Sequence, residues 1–331
     1  MTKVLEIKEG LRTIFGKFEL YIMAGVKFAL ALTAFSIINR TMGYMERLHS
    51  ISIVLVMALL CTFLPIHAVI LFSCGLILAH LSALSLEVCV VASCILLLMF
   101  LMYFRFASDN GYNVVMNPLL FSLGIPQIMP VSIGLLKDPA SIVSMLCTTI
   151  WFYFLKGIKE NEAMFSATEE DTAAAKFTLA LQQIIGNKEL YLVVAALALT
   201  ALTVYLIRRL SINHAWTIAI CVGCSLDLTI MLVGYSVLEK GTKILGAVLG
   251  TLLSLLVNFG IEFFLYNLDY SRIERVQFED DEYYYYVKAI PKSYVSTKEK
   301  QVKKINAQKR DTINKRELAE ELDIDQDLLD D

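Results

Sequence analysis

The strongest chemical signal in the sequence is a carboxyl group in the middle of an apolar stretch. Residues 214–236 have the sequence HAWTIAICVGCSLDLTIMLVGYS, with Asp227 near the centre. A carboxylate at the centre of a membrane-spanning helix costs about 2.5–3.5 kcal/mol unless it faces a partner, an ion or water. Asp227 is therefore our first candidate for coupling an ion or proton, or for contacting a substrate. The plainer interpretation is a structural residue that hydrogen-bonds to a nearby hydroxyl such as Ser225 or Thr229.

Two other charged residues lie inside apolar segments and could act with Asp227. Lys27 lies in the first segment, where it could pair with Asp227 or Glu262 and neutralise both charges. A long lysine side chain can also extend along the helix to the membrane interface, and this interpretation is favoured. Glu262 lies near the end of the last segment, where we expect it at the interface. Both residues stay in the candidate binding or coupling set.

A third feature is the proline-rich run over 114–135. Pro118, Pro126 and Pro130 interrupt an otherwise apolar sequence. Proline breaks the hydrogen-bond ladder of a helix, so a broken or re-entrant element is expected here instead of a straight span. Irregular backbone at membrane depth must be covered by protein or line water. Pro126 and Pro130 are therefore predicted to lie at the same polar site as Asp227.

No motif for an enzyme, a cofactor or a metal survives inspection. The chain has no phosphate-binding loop, and Cys221 and Cys224 form a CxxC inside an apolar segment, where packing is the favoured interpretation. The net charge of −3 gives no basic field for nucleic acid. We therefore predict a protein that is not an enzyme, with no cofactor, no metal site and no nucleic-acid partner.

The composition places these residues in a membrane. Of the 331 residues 57% are hydrophobic, and the mean hydropathy is +0.62. A soluble domain has too little interior to hide this much apolar surface. We predict an all-α polytopic protein whose first partner is the lipid bilayer. Nine apolar runs carry this prediction, at about 20–38, 51–64, 66–83, 86–104, 114–135, 140–156, 190–207, 214–236 and 244–266.

The distribution of lysine and arginine predicts the topology. The tail from 298 to 316 holds eight basic residues and is expected in the cytoplasm, together with Arg208 and Arg209. The acid-richer loop 159–189 is then extracytoplasmic. A cytoplasmic N-terminus requires an even number of crossings, so we predict eight transmembrane helices plus the broken element, in the plasma membrane.

The same pattern divides the chain into segments. Residues 159–189 include an amphipathic helix, and the charge of the C-terminal tail favours loose order. The predicted segments are an amphipathic interfacial helix (1–18), a first membrane half (19–158), the extracytoplasmic loop (159–189), a second membrane half (190–267), a cytosolic β-hairpin (268–295) and a charged tail (296–331).

The hairpin carries four consecutive tyrosines. An isolated two-stranded hairpin is marginal in water, so this one is expected to pack on something. We predict that residues 272–331 dock a cytosolic or membrane partner protein, through Tyr283, Tyr284, Tyr285 and Tyr286.

Two functions remain open from the sequence. The first is a transporter or permease-like protein that moves a small molecule or ion past a polar site at Asp227. The second is a non-catalytic scaffold or assembly subunit that docks a partner through the hairpin and tail, with Asp227 only joining helices. Transport is favoured, because charges inside membranes are rare and usually functional.

Overall fold

The structure is a computed structural model that describes residues 2–166, 173–265, 274–280 and 282–289. The predicted tail 296–331 lies outside the described residues, as do both ends of the segment predicted as the hairpin. The described chain is a helical bundle followed by one antiparallel β-hairpin. Its elements are α1 (Thr2–Thr41), α2 (Ile51–Phe63), α3 (Ile66–Leu84), α4 (Leu86–Phe106), α5 (Gly111–Ser122), α6 (Ile128–Leu136), α7 (Ala140–Glu160), α8 (Glu162–Ser166), α9 (Ala173–Ile185), α10 (Lys188–Arg208), α11 (Ala215–Val237), α12 (Ile244–Leu265), β1 (Glu274–Glu279) and β2 (Tyr284–Ala289).

The helices confirm a multi-pass membrane protein. Among the described residues, seven helical segments are long and apolar enough to cross a membrane. One predicted span is shorter than expected: α2 has 13 residues and covers about 20 Å, against about 30 Å of bilayer hydrocarbon. The reason is local, because Leu64 adopts an extended conformation before Pro65 and ends the helix.

The first helix changes direction where the predicted interfacial segment ends. Phe18 has non-helical dihedral angles (φ −117°, ψ 21°) inside α1. Before it, Ile14 and Phe15 expose about half of their side chains. An exposed apolar face suits a helix at the membrane surface, so the assignment of 1–18 as interfacial stays a prediction with this geometry in its favour.

The helices α7 and α10 run antiparallel and define the two ends of the bundle. The hydroxyl of Tyr153, near the end of α7, donates to Glu189 Oε1 at the start of α10 (3.1 Å). We call this the lysine end, after the lysines described below. At the opposite end, the arginine end, the Arg208 side chain donates to the backbone carbonyls of Leu135 and Lys137, close to the start of α7.

The helices α5 and α6 form a hairpin that enters and leaves the bundle at the arginine end. At its start, Asn110 Nδ2 donates to Ser141 Oγ at the beginning of α7 (2.7 Å). At its finish, Arg208 holds the carbonyls that follow α6. The turn between the two helices contains Gly124 with φ +77°, a conformation that glycine adopts without strain. The proline-broken run is thus a pair of short helices joined by a non-helical turn.

Close packing holds α6 in the middle of the bundle. Seven of its nine residues are buried, against α10, α11 and α12. A Cβ atom on Gly134 would lie 2.8 Å from the Ala201 carbonyl oxygen and 2.7 Å from Val204 Cβ. The backbones of α6 and α10 therefore approach as closely as a glycine allows, which is how membrane helices gain contact without large side chains.

The predicted amphipathic helix of the 159–189 loop is α9, and its apolar face lies on the bundle. Ala180 is fully buried, with Phe177 beside it, in a cluster with residues of α4 and α7. Gln183 accepts a hydrogen bond from Asn161 Nδ2 (3.2 Å) and crowds Gly157. Residues 167–172, which precede this helix, lie outside the described residues.

Candidate functional site

Asp227 lies at the centre of α11 with no hydrogen-bond partner for either carboxylate oxygen among the described residues. The residue is 1% exposed. The Thr200 hydroxyl on α10 lies close enough to act on this carboxyl group, although no hydrogen bond of ordinary geometry joins the two. The predicted structural partners are wrong, because the Ser225 and Thr229 hydroxyls donate to carbonyls of their own helix. A buried carboxyl group without a partner is costly, so it is unlike an ordinary packing residue.

A chain of buried polar side chains lies beside Asp227 and joins the hairpin turn to α12. The Ser254 hydroxyl donates to the backbone carbonyl of Gln127 (2.8 Å), and Asn258 Nδ2 donates to the Ser254 carbonyl (2.8 Å). The Ser132 hydroxyl on α6 donates to Asn258 Oδ1 (2.9 Å). Cys224, one turn before Asp227, places its sulfur 3.9 Å from Ser254 Oγ. The carboxyl group therefore lies where α6, α10, α11 and α12 meet.

Neither Lys27 nor Glu262 pairs with Asp227. Lys27 Nζ donates to the backbone carbonyl of Leu64 (3.3 Å), which the break before Pro65 leaves without a helical partner. Glu262 Oε1 accepts a hydrogen bond from the Thr217 hydroxyl near the start of α11 (2.6 Å). The structure keeps these three charges apart, so charge neutralisation does not explain Asp227.

A cavity of about 720 Å³ occupies the space between the two membrane halves. Its volume lies within the range of roughly 300–1,000 Å³ that is typical of small-molecule sites. Pro126 and Gln127, at the turn of the α5–α6 hairpin, line it, whereas Pro130 is buried within α6 away from it. Asp227 does not line the cavity, but Met231 and Tyr235, one and two turns further along α11, do.

The cavity ends at a charged cluster at the lysine end. Glu189 has a 6% exposed side chain and accepts from Lys240 Nζ (2.5 Å) and Lys243 Nζ (2.5 and 2.6 Å). Tyr153 donates to the same carboxylate. Lys156, one turn from the end of α7, lies close enough to act on the charges of Glu189 and Lys243. This cluster is the part of the site that sequence reasoning missed.

The tyrosines of the hairpin do not form one surface. In the β1–β2 register, Tyr285 pairs with Phe278 on one face, and their rings stack 4.8 Å apart. Tyr284 and Tyr286 point to the other face, and Tyr283 lies in the turn. All four are exposed. Val276 and Val287 extend the face of Phe278, so this face is apolar and open.

The hairpin turn is closed by Asp280. Its carboxylate accepts hydrogen bonds from the backbone N–H groups of Glu282 (2.9 Å) and Tyr283 (2.7 Å) and from the Tyr285 hydroxyl (2.9 Å). These hydrogen bonds lower the pKa of Asp280. The turn therefore has a local cause in the sequence, and it places Tyr285 against Phe278.

Comparisons of the chain with protein-family models, with curated proteins and with solved structures found no match. The site is therefore interpreted from its own chemistry. Within the described ranges, no group of three or more His, Cys, Asp or Glu side chains could hold a metal ion.

Proposed function

We propose that this protein is a transporter or permease whose pathway runs from the cavity past Asp227. The observation that carries the proposal is the cavity itself, which reaches from the charged residues of the lysine end to the turn of the α5–α6 hairpin. Pathways of membrane transporters are commonly lined by broken helices near the middle of the bundle. The sequence-based candidate, Asp227, lies one turn from the cavity wall at Met231.

In this proposal the structure represents a state open toward the lysine end. Asp227 is closed off from the cavity by the side chains one and two turns along α11. Exposure of its carboxyl group would need α11 and the α5–α6 hairpin to move against each other, and the buried polar contacts of Ser254 and Gln127 would change as they do. A carboxylate without partners is poised for this, because a proton, an ion or a substrate group could satisfy it.

The proposal includes the topology expected from the sequence. Eight passes carry the chain through the bundle, with α2 as the shortest, and the α5–α6 hairpin is re-entrant. Lys8 contacts the backbone carbonyl of Phe263, which supports N- and C-terminal segments on the same side. The arginine end is then cytoplasmic, in the plasma membrane, as the tail lysines favour.

Cysteine labelling tests alternating exposure without knowledge of the substrate. Cys147 lines the cavity and Cys224 is buried one turn from Asp227. Single-cysteine proteins retaining either residue are reconstituted in sealed vesicles of known orientation and treated with a membrane-impermeant thiol reagent. We expect Cys147 to react from the lysine end and Cys224 to react, more slowly, from the arginine end.

The Asp227→Asn substitution completes this test. If the carboxyl group controls the exchange between states, the substitution changes the two labelling rates in opposite directions, by about threefold or more. A protein retaining only Cys61, which is fully buried and does not line the cavity, is the control for general opening. Transport past Asp227 is rejected if Cys224 reacts no faster than Cys61 from either side and the Asp227→Asn substitution leaves the labelling rate of Cys147 unchanged.

The apolar face of the hairpin supports the second candidate, a scaffold that docks a partner protein. Val276, Phe278, Tyr285 and Val287 share this face and are each 37–51% exposed. Phe278→Ser with Val287→Ser would then remove a co-purifying partner while the melting temperature of the bundle is unchanged. The matched control is Tyr286→Ser on the opposite face. Equal loss or equal retention in both variants would reject docking through this face.

A further inference from the structure

The cavity combines one charged end with an apolar body. Among the described residues its charged lining groups all lie at the lysine end: Lys156, Lys159, Glu160, Glu189 and Lys243. The remaining wall is mainly apolar and comes from α1, α3, α4, α5 and α7, with a few uncharged polar side chains such as Ser73, Ser144 and Thr148. Representative apolar members are Ile37, Ile70, Ile77, Leu96, Phe100 and Leu119.

The charged end has more lysine than glutamate. Three lysines line this end, Lys156, Lys159 and Lys243, against the two carboxylates of Glu160 and Glu189. Lys159 donates to the backbone carbonyl of Thr41. Lys156 has Glu160 as its ion-pair partner at 3.9 Å, and both side chains are more than a third exposed. A pair this long and this exposed neutralises little charge. The charged groups lining this end of the cavity therefore sum to one positive charge, three lysines against two glutamates.

Glu189 gives this excess charge a fixed position. Its carboxylate holds Lys240 and Lys243 together, while the Tyr153 hydroxyl and ring stand beside it. Lys156 Nζ lies 5.5 Å from the centre of the same ring. An anion entering this end of the cavity can thus meet Lys156 and Lys243 while Lys240 continues to pair with Glu189. Preorganised ammonium groups of this kind attract carboxylates and phosphates.

The apolar body disfavours a fully hydrophilic ligand, because its few hydroxyl and amide groups are scattered among aliphatic and aromatic side chains. A polar molecule filling this volume would leave its hydrogen-bonding groups unpaired against aliphatic and aromatic side chains, which is costly. A hydrocarbon chain is favoured there by the hydrophobic effect. The wall stays mainly apolar as far as Tyr103, whose hydroxyl is already engaged with His67 (2.9 Å) near the arginine end.

We propose that the cavity binds an amphipathic anion, with its anionic head group at Lys156 and Lys243 and its hydrocarbon chain between α1, α3, α4 and α5. Free fatty acids and anionic phospholipids share this chemistry. The proposal rests on the proposed function only for the role of the ligand as cargo, because binding can be measured without transport.

The two tryptophans of the chain provide a direct test of binding. Trp151 lines the cavity, whereas Trp216 lies at the start of α11. The Trp216→Phe protein, in discs of zwitterionic lipid, is titrated with stearic acid carrying a nitroxide quencher on its chain, and with the methyl ester of the same probe. We expect saturable quenching of Trp151 by the acid, with an affinity at least tenfold higher than that of the ester. Trp151→Phe, which leaves Trp216, reports quenching by lipid around the protein.

Charge variants locate the head group. Lys156→Gln should weaken binding of the acid about fivefold and leave binding of the ester unchanged, while the hydrogen bonds of Glu189 to Lys240, Lys243 and Tyr153 are retained. The matched control is Lys159→Gln, because the Lys159 ammonium group contacts a backbone carbonyl. This substitution should weaken binding of the acid less than Lys156→Gln does. A chain-labelled phosphatidylglycerol and its phosphatidylcholine counterpart distinguish the two sources, since preference for the anionic member in either pair supports the proposal.

Three results would overturn it: equal affinity for the acid and its ester together with equal affinity for the two phospholipids, quenching of Trp151 no stronger than that of Trp216, or affinity for the acid that Lys156→Gln leaves unchanged. Each of these leaves the cysteine test of alternating exposure standing. Conversely, saturable anionic binding with no alternating exposure would reject transport and leave the binding site in place.

Discussion

At the scale of single residues, Asp227 and Glu189 show two ways of burying a carboxyl group. Glu189 is surrounded by donors, two lysines and a tyrosine. Among the described residues Asp227 has only the Thr200 hydroxyl close enough to act on it, and no hydrogen bond of ordinary geometry joins them. A group that is stabilised by its surroundings serves structure, whereas one left unsatisfied lowers stability and is usually retained for function.

Removing the charge of Asp227 should therefore stabilise the folded protein. We expect Asp227→Asn to raise the free energy of unfolding by about 1–2 kcal/mol, because a neutral amide is less costly to bury than an unpaired carboxylate. Thermal unfolding in detergent, followed by tryptophan fluorescence, measures it. Asp109→Asn, at an exposed position, is the control and should change little. A lower melting temperature for Asp227→Asn alone would show that the carboxyl group has a stabilising partner.

The Glu189 cluster predicts that removing its carboxylate costs less stability than removing its two lysines. The side chains of Lys240 and Lys243 are 43% and 36% exposed, so water can hydrate them when Glu189 is replaced. We expect Glu189→Gln to cost about 1–2 kcal/mol. The double variant Lys240→Gln with Lys243→Gln leaves a buried carboxylate unpaired and should cost about 3 kcal/mol or more. If both variants lost the same free energy of unfolding in thermal unfolding, water would have to hydrate the Glu189 carboxylate as well as the lysines.

At the scale of elements, the α5–α6 hairpin could be predicted and its surroundings could not. Gly124 and Pro126 lie in the turn itself, so a break in 114–135 could be predicted from the sequence. Pro118 and Pro130 do not interrupt a helix as predicted, because Pro118 lies within α5 and Pro130 within the first turn of α6. The charged cluster is different, because Glu189 and Lys243 are 54 positions apart and each looks like a loop residue beside its own helix. Their meeting depends on the packing of α10 against α7 and α11 and of α12 against α11, which no local sequence pattern predicts.

The buried face of helix α6 could not be predicted from the sequence either. It is apolar on all sides, so periodicity gives no direction for its buried face. Asp227 could be identified from the sequence because the free-energy cost of placing a carboxylate inside a membrane does not depend on which residues pack beside it. The partners expected for it were wrong for the opposite reason: Ser225 and Thr229 are near in sequence, but serine and threonine in a helix readily bond to their own backbone.

The close approach of α6 to α10 gives a testable prediction for the α5–α6 hairpin. Gly134→Ala places a methyl group 2.7–2.8 Å from Val204 and the Ala201 carbonyl, and backbone cannot move aside cheaply. We expect a loss of about 1–3 kcal/mol in the free energy of unfolding. Gly246→Ala is the matched control on α12, since a Cβ there meets nothing within 4 Å. It should be neutral or stabilising by up to about 1 kcal/mol through helix propensity. Equal effects of the two substitutions would contradict the packing described for α6.

At the scale of the whole molecule, the direction of each helix follows from a few contacts at its ends. Lys159 holds the carbonyl at the end of α1, which places the loop after α1 at the lysine end. Lys8 contacts the carbonyl of Phe263, and the neighbouring Glu262 accepts from Thr217 at the start of α11, which places Lys8 and the end of α12 at the arginine end. The α5–α6 hairpin begins beside Ser141 and ends beside Arg208, at that same end of the bundle.

These contacts predict which loops face the same side of the membrane. Neither α5, about 18 Å long, nor α6, about 14 Å, reaches across roughly 30 Å of hydrocarbon, and their ends meet at one end of the bundle. Cysteines introduced at Asp109 and Asp138 in an otherwise cysteine-free protein should therefore react with an impermeant thiol reagent from one side. Cysteines at Glu46 and Thr242 should react from the other. If Asp109 and Asp138 reacted from opposite sides, the hairpin would cross the membrane, and the cavity could not end at a re-entrant turn.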